Sequence, residues 1–153
     1  MNQLSKHLQN GPMNKDNKMT QEEKKELLLK DLCARIPYGL KVSVRGYIEE
    51  NITFDILSVT ANFRVFVKNL SVSIRQFVDI EVVIPYLRSM SSMTEEEKLE
   101  YTSIDNRAYC CPQDFAHIPA TDRIDWLNAH HFDFRSLIEN NLALEAPEGM
   151  YNN

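Results

Sequence analysis

The spacing of apolar residues changes at Pro37, and this change limits the possible folds more than any other feature of the sequence. Before the proline, apolar side chains recur every three or four positions, which is the repeat of one helix face. Thr20 and Glu23 precede them with the spacing of a capping box. We therefore predict a helix over residues 20–36. Its predicted apolar face consists of Leu28, Leu29, Leu32, Cys33 and Ile36.

Beyond the proline, apolar and polar residues alternate, which is the repeat of half-buried strands. The β region 40–84 contains "LKVSV", "ITFDI", "FRVFVK" and "LSVSI", separated by polar breaks typical of hairpins. The alternation shifts near Ile56 and Leu57, which predicts a β-bulge or a bend. Because open antiparallel edges are prone to aggregation, we expect closure into a small SH3-like barrel, with a curled sheet on the first helix as the alternative. Pro85 lacks a backbone N–H, so a strand there should end by Ile84 or lie at an edge.

Residues 94–142 predict C-terminal helices. The first helix begins at a second capping box, formed by Thr94 and Glu97. Residues 103–120, with two prolines, are predicted to form a long loop. Thr121 can cap a further helix, which should end near His130. Asp133 then has the position of an N-cap for a last short helix.

The predicted fold class is therefore α+β: an N-terminal helix, a small antiparallel barrel or curled sheet, and C-terminal helices. We expect one domain over residues 19–146. Residues 1–18 are polar and lack an apolar repeat, so we expect a flexible leader, with Met19 as an alternative start. The acidic tail, residues 147–153, is expected to fray.

Composition and cysteine usage indicate a cytoplasmic protein. The sequence contains no apolar run of the ~20 residues that a membrane helix needs, and its first residues lack the apolar region of a signal peptide. Two of the three cysteines are adjacent in the sequence, and adjacent cysteines seldom form a disulfide with each other. We therefore expect a reducing compartment. We expect no membrane association.

The net charge of −5 is unevenly distributed. Residues 91–153 contain 4 Lys and Arg against 12 Asp and Glu, a charge of −8. Because neutralisation of phosphates supplies most non-specific affinity for nucleic acid, an acidic C-terminal half disfavours such a partner. Basic residues of the β region leave nucleic-acid binding by a small barrel as an alternative. The residues proposed for that alternative are Arg45, Arg64 and Lys68.

Three segments resemble a family of short uncharacterised proteins from gut Bacteroides-type bacteria, their prophages and phages. The segments are "LLLKDLCARIPYGLKV" (27–42), "PYLRSMSSMTEEEK" (85–98) and "WLNAHHFDFRSLIENNLALEAPEGMY" (126–151). Members of that family often carry proline where this chain has Ser89, and usually lack the leader. The resemblance implies a phage or mobile-element origin and a location in the cytoplasm of a bacterial host. It implies no activity.

The residues that most resemble a reaction centre lie between Cys110 and Asp133. Cys110, Cys111, His130 and His131 are of the types that bind zinc, but adjacent pairs lack the spacing that lets two side chains reach one ion. Cys111 with His131 and Asp133 would supply a thiol, a base and an orienting group, and so a cysteine- or zinc-dependent enzyme is a further alternative. A packed helical corner explains the same residues without chemistry.

These observations favour a non-enzymatic accessory protein that binds another protein. No glycine-rich phosphate loop is present, and we expect no cofactor. Because tyrosine and arginine are enriched in binding hot spots, the proposed contacts are Tyr38, Tyr47, Tyr86 and Arg88. Tyrosines that line the core with their hydroxyls at its edge are the alternative explanation. The oligomeric state and the identity of the partner stay open.

Overall fold

One long helix packs across a six-stranded sheet, with two further helices beside it. The structure is a computed structural model and describes residues 19–47, 52–109 and 118–151, with side chains for all of these except 105–109 and 118–119. The helices are α1 (Gln21–Arg35), α2 (Glu95–Tyr109) and α3 (Ile118–Ala129). The strands are β1 (Lys41–Val44), β2 (Phe54–Val59), β3 (Arg64–Asn69), β4 (Ile74–Asp79), β5 (Val83–Leu87) and β6 (Leu144–Glu145).

The sheet has the strand order β4-β3-β2-β1-β5-β6 and is not closed. All neighbours are antiparallel except β5 and β6, which are parallel. The α+β class and the curled sheet are thus confirmed, whereas the SH3-like barrel that we placed first does not form. After β4, a three-residue 3₁₀ turn at Ile80–Val82 carries the chain to the far side of β1, and β6 then occupies the other side of β5. Neither side of β5 remains for β4 to close a barrel.

The buried face of the sheet forms the main core together with α1. Alternate residues of β1, β2 and β3 are buried, as the period of two predicts. They pack with Leu28 and Leu32 of α1. The register of β2 against β3 shifts between Ile56 and Ser58, so the predicted bulge is confirmed. The core side chains of the three strands are Val42, Val44, Phe54, Ile56, Val65 and Val67.

The strand predicted at "LSVSI" is a turn, and β4 begins only at its last residue, Ile74. Ser73 has a φ of 56°, which an extended strand does not allow. The Asn69 side chain accepts the Val72 N–H, so this turn forms its own hydrogen bonds. Apolar and polar residues do alternate over residues 70–74, but the strand predicted from this alternation is wrong.

The strand β5 continues through Pro85, contrary to the prediction that it should end by Ile84 or lie at an edge. The Arg45 N–H donates to the Val82 carbonyl at 2.8 Å, and hydrogen-bonded pairs alternate along an antiparallel ladder. The pair of Val42 and Pro85 is therefore one that exchanges no hydrogen bonds. The nitrogen of Pro85 points away from β1, and its missing proton removes nothing from that ladder.

The two capping boxes are confirmed. Thr20 and Glu23 exchange hydrogen bonds at the start of α1, and Thr94 and Glu97 do so at the start of α2. The buried face of α1 differs from the prediction, because Cys33 is exposed while Asp31 and Arg35 are fully buried. A helix face that contains two charged residues requires partners on another element.

The C-terminal region has fewer helices than predicted. Helix α2 extends into the segment predicted as a loop, and α3 begins before Thr121. Residues 134–140 form turns instead of a helix. Ser136, inside this segment, has a φ of 57°, which an α-helix does not allow. Asp133 accepts the N–H groups of Leu137 and Ile138 and thereby closes a turn.

Tyr151, within the tail predicted to fray, makes contacts with the rest of the domain. The Tyr151 hydroxyl donates to the Tyr86 carbonyl at 2.8 Å and accepts the Lys41 N–H at 3.1 Å. Its ring stacks on His131 with centroids 3.9 Å apart. Burial raises the pKa of this phenol above its ordinary value. The Tyr151 side chain therefore joins the backbones of β1 and β5.

Candidate functional site

The segment with adjacent histidines, residues 126–135, is here called the histidine corner. His131 lies in its centre, is 3% exposed and has a φ of 58°. Its Nε2 lies 3.0 Å from the Tyr38 carbonyl oxygen. A carbonyl only accepts, so Nε2 carries a proton and donates it to this oxygen. Burial first, and then the positive charge of Arg35, lowers the pKa of His131 from 6.5 to about 4.

The ring of His130 contacts other residues than the ring of His131 does. Its ring stacks on Trp126 with centroids 3.9 Å apart, and its Nδ1 lies 2.9 Å from the Trp126 carbonyl oxygen. The rings of His130 and His131 thus pack on different aromatic partners. This arrangement does not direct both imidazoles at one ion.

A buried charge network connects α1 to the histidine corner. The Asp31 carboxylate accepts two hydrogen bonds from Arg35, at 2.9 and 3.1 Å, and one from Arg135 at 2.7 Å. Arg35 also donates to the carbonyl of Phe132 at 2.8 Å. Both guanidinium groups lie over the ring of Phe134. Two cations share one anion, so the cluster carries a net positive charge, which explains its effect on the neighbouring imidazole.

The predicted metal and catalytic groups are not brought together in the described residues. Cys110 and Cys111 lie outside them. Within the described residues, no group of three or more His, Cys, Asp and Glu side chains could hold a metal ion. Asp133, the predicted orienting group, binds two backbone N–H groups of the following turn. The contacts of the histidine corner are those of a packed structural junction.

The predicted contact residues take part largely in internal contacts. Tyr47 packs its ring on Phe54, and its hydroxyl accepts a 2.6 Å hydrogen bond from Gln76. The Tyr86 carbonyl accepts the hydroxyl at the chain end. Tyr38 is the most exposed of the four predicted residues, in the 3₁₀ turn after α1.

Arg88, the fourth predicted contact residue, forms a bidentate ion pair with Glu97 at 2.6 and 2.9 Å. Its guanidinium lies 4.3 Å from the Phe132 ring centroid. The hydrogen bonds from Arg88 lower the pKa of Glu97. This arginine therefore connects β5 to the start of α2 and to the histidine corner.

An aromatic pair occupies the side of the sheet opposite the core. Phe66 of β3 and Phe77 of β4 are directly paired across the two strands, with ring centroids 4.7 Å apart. Phe77 is 52% exposed, and Leu57 at the bulge of β2 is 42% exposed. We call this surface the outer sheet face. It comprises Asp55, Leu57, Ser58, Arg64, Phe66, Lys68, Arg75, Phe77 and Asp79.

Charged residues border the aromatic pair on the outer sheet face. Lys68 pairs with Arg75 on one side of it, and Arg64 pairs with Asp79 on the other. Arg64 and Asp79 approach to 3.3 Å, and Arg64 also donates to the Phe77 carbonyl at 3.2 Å. The face therefore combines exposed apolar area with an excess of positive charge, unlike the acidic chain as a whole.

Two of the three residues predicted for nucleic-acid binding lie on this face, namely Arg64 and Lys68. Arg45 does not, because it lines a groove of about 350 Å³ beside Lys24 and Lys25 of α1. The sequence analysis missed the aromatic pair. The alternation of "FRVFVK" already puts Phe66 beside Arg64 and Lys68, whereas Phe77 lay outside every strand that we predicted.

Comparison of the chain with protein-family models, curated proteins and solved structures finds no match. Among the helices of the described residues, none combines the length and the apolar character required to cross a bilayer.

Proposed function

We propose that this chain is a non-enzymatic protein-interaction module that binds its partner through the outer sheet face. The observation that supports the proposal is the 52% exposure of Phe77 at the middle of β4, the strand at one end of the sheet. Terminal strands are normally protected by charge, proline or a covering element. An aromatic side chain with apolar neighbours in that position is typical of a surface that another protein covers.

The internal bonding of the histidine corner also favours binding over catalysis. His130 and His131 each place a ring nitrogen against a backbone carbonyl, and Asp133 binds backbone N–H groups. A general base needs to reach a substrate proton, and these groups are directed at the chain itself. An accessory role in a phage or mobile element remains a prediction of the sequence resemblance.

A second candidate function uses the same face. Aromatic rings bordered by cations also bind single-stranded nucleic acid, by stacking on the bases and pairing with the phosphates. Phe66 and Phe77 would supply the rings, and Arg64, Lys68 and Arg75 the cations. The net charge of −5 disfavours this function, because it repels a polyanion at long range.

Capture from host lysate separates these functions. Tagged protein is incubated with lysate of Bacteroides-type cells, with and without nuclease, and retained proteins and nucleic acids are quantified. Phe77→Ser removes the exposed ring. Leu99→Ser is the matched control, because Leu99 is 74% exposed on α2 and outside the outer sheet face.

We expect one or more nuclease-resistant proteins that the native chain and Leu99→Ser retain and that Phe77→Ser loses. If all three chains retain the same proteins, the outer sheet face is not the binding surface. If retention depends on nucleic acid, falls steeply with salt and is lost in Lys68→Glu, the second candidate is correct.

A further inference from the structure

We propose that the partner of the outer sheet face is a second copy of this chain, paired antiparallel along β4 about a two-fold axis at Phe77. This inference depends on the proposed function, since it identifies the occupant of the same surface. The pairing would join two six-stranded sheets into one continuous sheet. It would also bring the exposed aromatic rings of the two copies side by side on the same side of that sheet.

The backbone of β4 presents the groups that such pairing needs. The Ile80 N–H donates to the Phe63 carbonyl at 2.8 Å, which fixes the alternation of hydrogen-bonded pairs between β3 and β4. By that alternation Val78 and Gln76 bond to β3, and Arg75, Phe77 and Asp79 direct their N–H and C=O groups to the other edge, with which no strand of the described residues pairs. The contact from the Arg64 side chain to the Phe77 carbonyl agrees with this direction. The backbone groups that point away from β3 therefore belong to the three β4 residues of the outer sheet face.

Charge favours the register with the axis at Phe77, because it forms an Arg75–Asp79 ion pair on each side of that axis. Residues that face each other across an antiparallel pair lie on the same side of the sheet. With the axis at Phe77, Arg75 of each copy faces Asp79 of the other, so two ion pairs flank a central pair of phenyl rings. An axis at Arg75 would oppose two arginines, and an axis at Asp79 would oppose two aspartates. Like charges directly opposite destabilise a strand pair, so the register at Phe77 is favoured.

The charges of β4 are unbalanced within one copy. Arg75 faces Lys68 across the β3–β4 pair, and no ion pair or hydrogen bond of Arg75 is found within the described residues. Asp79 of a second copy would supply its missing anion. Arg64 would keep its contact with Asp79, and the Phe77 carbonyl has a second lone pair for the partner's N–H.

Complementary charge reversals test both the pairing and its register. Arg75→Glu places a glutamate opposite each Asp79, and Asp79→Lys places a lysine opposite each Arg75. Each variant should dissociate about tenfold more readily than the native chain, since both ion pairs become repulsive. In a one-to-one mixture of the two variants, the introduced glutamate of one copy faces the introduced lysine of the other, and the second pair is native. The mixture should therefore associate better than either variant alone.

The dissociation constants are measured by sedimentation equilibrium of the full chain, and circular dichroism checks that the variants are folded. Lys98→Glu, on α2, is the matched control for a single charge reversal and should leave association unchanged. A native chain that stays monomeric, or a mixture that associates no better than its components, would overturn the self-pairing. If Phe77-dependent capture of a different protein persists in that case, the proposed interaction module stands and only its partner is wrong.

Discussion

Replacement of His131 by glutamine should remove a pH dependence of stability that the native chain has. His131 is buried near the ion pair of Arg35 and Asp31, and it donates from Nε2 to the Tyr38 carbonyl. Charged groups from several elements act on it: Arg35 and His130 lower its pKa, while Asp31 opposes them. Glutamine keeps an N–H donor for the carbonyl and does not titrate.

The size of this pH dependence follows from the pKa values of the His131 imidazole in the folded and the unfolded chain. In the folded chain the pKa is about 4, against 6.5 for the free side chain. Between these values the unfolded chain binds a proton that the folded chain does not, so acid favours unfolding. The contribution of the neutral His131 imidazole to the free energy of unfolding is fully present above pH 6.5 and is lost as the pH falls towards 4. Each pKa unit corresponds to 1.36 kcal/mol, which gives a loss of about 3 kcal/mol between pH 7 and pH 4.

The assay is urea unfolding of the native chain, His131→Gln and the matched variant His130→Gln at several pH values between 4 and 7.5. Carboxyl groups titrate in all three chains, so their effect cancels in the differences. The difference between the native chain and His131→Gln should change by about 3 kcal/mol over this range, in favour of the variant at low pH. Parallel stability curves for these two chains would refute the argument that burial keeps His131 neutral.

Three further changes test the internal contacts by urea unfolding. Asp31→Asn should lower the free energy of unfolding by about 3–5 kcal/mol, because it leaves two guanidinium groups without their carboxylate. The control is Glu95→Gln, which removes one partner of an exposed ion pair and should change the free energy of unfolding by less than about 1 kcal/mol. Tyr151→Phe should cost about 1–3 kcal/mol by removing the hydroxyl that joins the backbones of β1 and β5, and an unchanged stability would show that the chain end is not attached there. Thr94→Ala should cost about 1 kcal/mol through loss of the α2 cap, and Thr94→Ser should restore most of it.

Local signals in the sequence predicted the elements whose formation depends on neighbouring residues. The capping boxes at Thr20 and Thr94 require only contacts three residues apart, and both are present. The bulge between Ile56 and Ser58 follows from a break in alternation that the sequence displays. These features needed no knowledge of the tertiary structure.

Features that depend on distant residues could not be predicted in this way. The burial of Asp31 and Arg35 requires Arg135, about a hundred positions away, and α1 alone gives no sign of it. Pro85 is tolerated in β5 because of the phase of its pairing with β1, which a single strand does not reveal. The exposed aromatic pair depends on the start of β4, which is set by the turn at residues 70–73. Predicted alternation alone could not locate that turn.

The side of the sheet that α1 covers determines folding, and the outer sheet face is the proposed binding surface. The buried network contributes more to orientation than to stability, since an apolar replacement of similar volume is often at least as stable as a buried ion pair. One carboxylate bound by Arg35 and Arg135 fixes the position of α1 against the histidine corner. Phe77 lies on the opposite face and makes its aromatic contact with Phe66 alone among the described residues. Substitutions at Phe77 should thus alter association without altering folding, while those at Asp31 should do the reverse, and this separation makes the binding proposals testable.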